Sequence, residues 1–206
     1  PAIMYNLLKS KVYISAAFKP FSINTSEGFK NFNNGSLVIP LSTQKTLDEN
    51  SLFEKMKNIQ DQYHVDIYSV DSGLSSSGVD LGSGNVLPIN RPNAMMLIGT
   101  GVRSYEAGEV WHLLDQRVGM PITKIPLRNF DNISMDKYNV MVIVSGSYKL
   151  SDNQVKKIKS WVEKGNTIIS IGSGSKLLID KKLVSEELVN NEKSDTNTKS
   201  KLTHIQ

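Results

Sequence analysis

The chain has 206 residues, with 24 lysines and arginines against 20 acidic residues and a formal charge of +4. That length suits one generous domain, or one domain with an appendage, rather than two complete catalytic domains. The absence of cysteine removes disulfides, thiolate zinc sites and every cysteine nucleophile. No stretch approaches the roughly 18 apolar residues of a membrane span, and the lysines are spread along the chain rather than gathered into the basic patch that nucleic-acid binding needs.

Taken in chain order, Ala2 to Lys9 reads as a helix already under way at Pro1, as a piece cut from a longer protein would. Lys11 to Ala17 and Ser36 to Leu41 ("SLVIPL") read as strands, the second entered through the turn residues Asn33 to Gly35. Thr46-Leu-Asp-Glu49 matches a capping box, and Leu52, Phe53, Met56 and Ile59 follow at helical spacing to about Gln62. Val65 to Val70 ("VDIYSV") predicts another strand. Asp71 to Asn93 is so dense in glycine, serine, asparagine and proline that it predicts a long loop, either functional or connecting layers.

From Ala94 the pattern becomes rhythmic. Strands are expected at Ala94 to Gly99, Ile122 to Leu127, Tyr138 to Ser145 and Thr167 to Gly172. Helices are expected at Ser104 to Arg117, Ser151 to Lys164 and from about Gly174. Continuous apolar strands separated by amphipathic helices predict an α/β fold, with a mostly parallel sheet covered on both faces in a three-layer αβα sandwich. The helix from Ser151 carries the fullest set of signals: a Ser151/Gln154 capping box, an apolar stripe of Val155, Ile158, Trp161 and Val162, and Gly165 as a stop. The division expected is therefore residues 1–90 as strands, helix and loop belonging to or leading into the sandwich, 91–188 as its core, and 189–206 as a polar loop or tail.

Ligands of parallel sheets collect beyond the carboxyl ends of the strands, where turns and helix N-termini offer free N–H groups. Three such ends are legible: Gly99-Thr100-Gly101, Ser145-Gly146-Ser147 and Gly172-Ser173-Gly174-Ser175. Neither a dinucleotide fingerprint nor a P-loop is present. The glycines therefore serve either as tight strand-to-helix turns or as a cradle for an anion or small molecule. Ser173 and Ser175 are candidate nucleophiles, but there is no Gly-x-Ser-x-Gly elbow, and His64, His112 and His204 are the only histidines that could activate them.

On the helix from Ser104, Ala107, Val110, Trp111, Leu114 and Val118 make a core face. Tyr105, Glu109, His112 and Gln116 line the opposite side, as a solvated stripe or an interdomain contact. Glu109, His112 and Asp115 have a superficial metal-ligand spacing, but Asp115 points off the stripe and a third ligand would have to come from His204 or another helix, so no metal site is assigned.

The segment "MMLIGTGVRSYEAGEVWHLLDQRVGMPITKIPLRNF", with "YNVMVIVSGSY", "IKSWVEKGNTIISIGSGSKLLIDKKLV" and the upstream "GVDLGSGNVLPINRPN", resembles the part that follows the catalytic domain in large bacterial zinc carboxypeptidase-like proteins of the M14 type. The likeness runs from the "NNGSLVIP" region to about Val184. It implies a class I glutamine amidotransferase-like, flavodoxin-like domain, in which "TIISIGSGSKLL" is similar to the nucleophile elbow and the family cysteine would fall at Gly172. The family's His-x-Glu is not matched, since the chain closes on His204-Ile-Gln206, and the peptidase's His-x-x-Glu zinc pair is missing. The resemblance therefore implies a non-catalytic accessory domain without a cofactor of its own, zinc belonging only to a parent peptidase domain. Its partner would be that domain, through the Tyr105, Glu109, His112 and Gln116 surface, with a homodimer as a further possibility, and its setting an exported or periplasmic bacterial protein.

Overall fold

A computed structural model describes residues 1–187. The expected polar segment 189–206, with His204, lies outside the described residues.

The first half of the chain builds two small antiparallel sheets and a pair of helices. Helix α1 (Ala2–Lys9) buries Tyr5, Leu7 and Leu8, and the chain reverses at Lys11 with a φ of 60°. Strands β1 (Ser15–Ala17), β2 (Phe21–Thr25), β3 (Gly28–Phe32) and β4 (Leu37–Val38) follow, then helix α2 (Glu49–Tyr63) and strands β5 (Ser77–Gly78) and β6 (Val86–Pro88). The sheet orders are β4-β1-β6 and β3-β2-β5. Leu7, Leu8, Val12, Ile14, Leu52 and Ile59 form one core between α1, α2 and the start of β1.

Several sequence expectations change here. The capping residue of α2 is Asp48, whose carboxylate accepts from Ser51 N–H at 2.9 Å, while the Thr46 hydroxyl donates to the Lys11 carbonyl at 3.1 Å and pins the loop to α1. Val65 to Val70 is not a strand: Val65 and Ile67 pack on the α1/α2 core and Tyr68 meets Phe32 edge-on, so the apolar alternation is used for packing without a backbone ladder. Only Leu37–Val38 of the expected 36–41 strand pairs, since Pro40 has no N–H to donate. Conversely, the long loop contains β5 and β6, the outer strands that complete both sheets. Two- and three-residue strands surrounded by glycine, serine and proline leave too little periodicity to detect. The β2–β3 hairpin was also missed. It pairs Phe21 with Phe32, whose rings stack at 4.9 Å, and turns at Gly28 with a φ of 90°.

The second half follows the sequence closely. Strand β7 (Ala94–Ile98), helix α3 (Ser104–Trp111), β8 (Ile122–Pro126), β9 (Val140–Ile143), helix α4 (Asp152–Glu163), β10 (Thr167–Ser170) and helix α5 (Gly174–Asp180) form a four-stranded parallel sheet in the order β10-β9-β7-β8. The protein is thus α/β, but its parallel sheet is confined to this half, and the expectation of one mostly parallel sheet is corrected to one parallel and two antiparallel sheets. Each apolar strand serves two layers. Ala94 and Met96 of β7 pack with Ala107, Val110 and Trp111 of α3 on one face. Met95 and Leu97 pack with Ile158 and Trp161 of α4 and Leu177 and Leu178 of α5 on the other.

Helix α4 has the expected reciprocal cap, Ser151 Oγ accepting from Gln154 N–H at 3.2 Å and Gln154 Oε1 accepting from Ser151 N–H at 3.0 Å, and it stops at Gly165 with a φ of 91°. The expected helix from Ser104 keeps α geometry only to Trp111, and residues His112–Arg117 continue it as a wider π-helical turn. Between β8 and β9 the chain makes short 3₁₀ turns that bury Phe130 and Met135 beneath α4.

Candidate functional site: the crest of the parallel sheet

The strand order places β7 beside β9, so consecutive crossovers leave toward opposite edges between them. In open α/β sheets that point is where ligands bind. The turns Gly99-Thr100-Gly101 and Ser145-Gly146-Ser147 close over it, and the Gly172-Ser173-Gly174 turn after β10 lies against them.

These turns bond to one another. Val102 and Gly146 form an antiparallel bridge, Arg103 N–H donates to the Ser145 carbonyl at 2.9 Å, and Ser147 N–H donates to the Gly101 carbonyl at 2.8 Å. The third turn joins through hydroxyls: Gly146 N–H donates to Ser173 Oγ at 3.2 Å and Ser173 N–H to Ser145 Oγ at 3.0 Å. Gly101, with a φ of 88°, and Gly146 are required by this closeness, because a Cβ on either would collide with the carbonyl of Ser147 or Gly101 respectively. The cradle residues named from sequence are therefore brought to one place, with the amides of Gly146 and Ser173 spent on hydroxyls of the neighbouring turns.

One charged group enters the cluster. Glu106, on the first turn of α3, accepts from Ser145 N–H at 2.9 Å, and Arg103 Nη1 lies 3.4 Å from its other oxygen. Hydrogen bonding from Ser145, by hydroxyl and by N–H, holds the Glu106 carboxyl below its ordinary range, with Arg103 adding to the effect. Ser145 itself is only 4% exposed. Behind it, Tyr148 donates its hydroxyl to the Val144 carbonyl at 2.7 Å, and burial pushes its ionisation up to about 12. Sequence reading missed Glu106. The available signal was its place one turn before Val110, on the side of α3 nearest the strands, but nothing local names Ser145 as its partner.

Tyr105, Glu109, His112 and Gln116 are all exposed, Tyr105 at 88%, and they stay apart from the crest. His64 terminates α2 in a left-handed conformation, and His112 opens the π-helical turn. Ser175 Oγ meets Ser170 Oγ at 2.9 Å, and the Ser173 hydroxyl is the acceptor for Gly146 already described. Among the described residues, no cluster of three or more His, Asp or Glu side chains is placed to hold a metal ion, and no helix is long and apolar enough to cross a membrane.

Gly172 has a φ of 55°, and a Cβ there would collide with Ser145 Oγ and stand 3.9 Å from Glu106 Oε2. Compared with protein-family models, curated proteins and solved structures, the chain matches none. Fold and site together define an α/β protein whose parallel sheet ends in a crest bonded to itself.

Proposed function

We propose that the chain is a non-catalytic, class I glutamine amidotransferase-like module of flavodoxin-like topology, acting as an accessory domain of an M14-type zinc carboxypeptidase-like protein. The observation that carries this reading is Gly172. The turn that resembles the nucleophile elbow has no side chain, and the volume a side chain would need is taken by Ser145 Oγ. The order β8-β7-β9-β10, which is 2-1-3-4 when the parallel strands are numbered along the chain, supports the flavodoxin-like reading. The resemblance of the quoted segments supports the assignment to the peptidase family. On this reading the module packs against the peptidase domain and shapes access to it, and the exposed Tyr105, Glu109, His112 and Gln116 side of α3 is the contact surface.

The test is association between the chain and the peptidase domain of its parent polypeptide, followed by sedimentation velocity. A complex is expected, loosened by Glu109→Lys combined with His112→Glu while both proteins remain folded. No complex with the unaltered chain would overturn the accessory role, and a complex indifferent to the double substitution would overturn the surface. A broad fluorophosphonate probe is expected to leave Ser173 and Ser175 unlabelled, whereas labelling of either would favour a serine hydrolase instead.

A further inference from the structure

The crest amides differ in what they bond. Those of Arg103, Gly146, Ser147 and Ser173 end on backbone carbonyls or on hydroxyls held within the cluster. Ser145 N–H alone ends on a charged group at the tip of a rotatable side chain, the Glu106 carboxylate at 2.9 Å. That carboxylate stands at the switch point between β7 and β9, where an exogenous ligand of a parallel sheet would sit. Its surroundings suit an anion. Arg103 reaches it at 3.4 Å, and the Gly172 turn packs so near that a Cβ there would stand 3.9 Å from Glu106 Oε2. A backbone N–H and a guanidinium meeting at one point suit a carboxylate or phosphate.

We propose that Glu106 is an internal ligand: its carboxylate fills an oxyanion position at the crest, and a small carboxylate or phosphate binds to Ser145 N–H and Arg103 only when that side chain is withdrawn. The Glu106 side chain retains 26% exposure and Arg103 retains 72%, so the carboxylate can leave toward solvent without unpacking the core. The crest is then a binding site closed in cis, a state that holds whether or not the module serves a peptidase.

The experiment titrates inorganic phosphate and, separately, acetate into the unaltered chain, Glu106→Ala, Glu106→Gln and Glu106→Ala with Arg103→Ala, following backbone amide NMR shifts. Glu106→Ala is expected to show saturable shifts centred on Ser145 and Gly172, with affinity at least about tenfold above the unaltered chain. Removal of Arg103 should abolish most of the gain. Glu106→Gln preserves the side-chain volume without the charge, and its affinity should fall between those of the unaltered chain and Glu106→Ala. Equal affinity in the unaltered chain and Glu106→Ala would overturn the proposal. So would the absence of saturable shifts in both Glu106→Ala and Glu106→Gln.

Discussion

The Lys157 ammonium lies 2.8 Å from the Ile133 carbonyl and 3.0 Å from each of the carbonyls of Phe130 and Asp131, above the Phe130 ring. One side chain from α4 thereby gathers the carbonyls at the end of the first 3₁₀ turn (Leu127–Asn132) in the β8–β9 connection. A compact cation suits three converging oxygens better than a planar guanidinium does.

Replacing Lys157 by Met keeps the stem and removes the charge, leaving three carbonyls to find water. Hydrogen bonds to charged groups suggest a loss of about 2 kcal/mol. Urea unfolding should show a lower midpoint at unchanged slope, and Lys157→Arg should recover only part of the difference.

The reciprocal cap at Ser151 and Gln154 predicts that Ser151→Ala costs about 1 kcal/mol. Gln154 also donates to Asp131 at 3.0 Å, so Gln154→Ala should cost more than the cap alone. Parallel urea titrations of the two variants check the order.

Glu106 predicts a pH dependence of known sign. Its folded-state pKa is depressed, so the stability it contributes is present above the ordinary carboxyl range and is lost as pH falls through the folded value. Asp48, lowered by its bonds from Ser51, works in the same direction. Thermal unfolding followed from neutral pH into the acid range should therefore decline less steeply for Glu106→Gln than for the unaltered chain. A slope unaltered by the substitution would contradict the assignment.

Gly172 and Ser145 should be coupled. Gly172→Ala places a Cβ against Ser145 Oγ at a φ of 55° and should destabilise by about 2 kcal/mol or more. Adding Ser145→Gly removes the collision, so the double variant should be more stable than the sum of the single losses, by on the order of 1 kcal/mol. A double-mutant cycle in urea measures this.

The outer edge of β10 is uncharged. Thr167 and Ile171 direct their N–H groups to β9, which leaves those of Ile168 and Ser170 facing outward, and the Ile169 side chain is 48% exposed. An apolar strand edge that no other described strand covers favours association with other chains. Ile169→Lys should lower light scattering on heating with little change in the unfolding midpoint.

Residues 94–180 were largely legible because their signals are local. An apolar run with both faces occupied, a Ser-x-x-Gln cap and a glycine stop each act within a few residues, and together they set β7 and α4 to within a residue or two of the structure. Residues 11–93 were legible mainly at α2, since β5 and β6 are strands only because β2 and β1 lie beside them, and Val65 to Val70 lacks such a neighbour despite its alternation. Backbone pairing is satisfied between distant segments, so propensity alone misjudges both cases.

The candidate site divides along the same line. Sequence by itself determined that three glycine- and serine-rich turns end parallel strands and that no cysteine can react there. Only the tertiary structure decided that the turns bond to one another and that Glu106 reaches across 39 residues to Ser145. Turn chemistry is written in neighbouring residues, whereas the partner of a hydrogen bond is chosen by the packing of whole strands and helices.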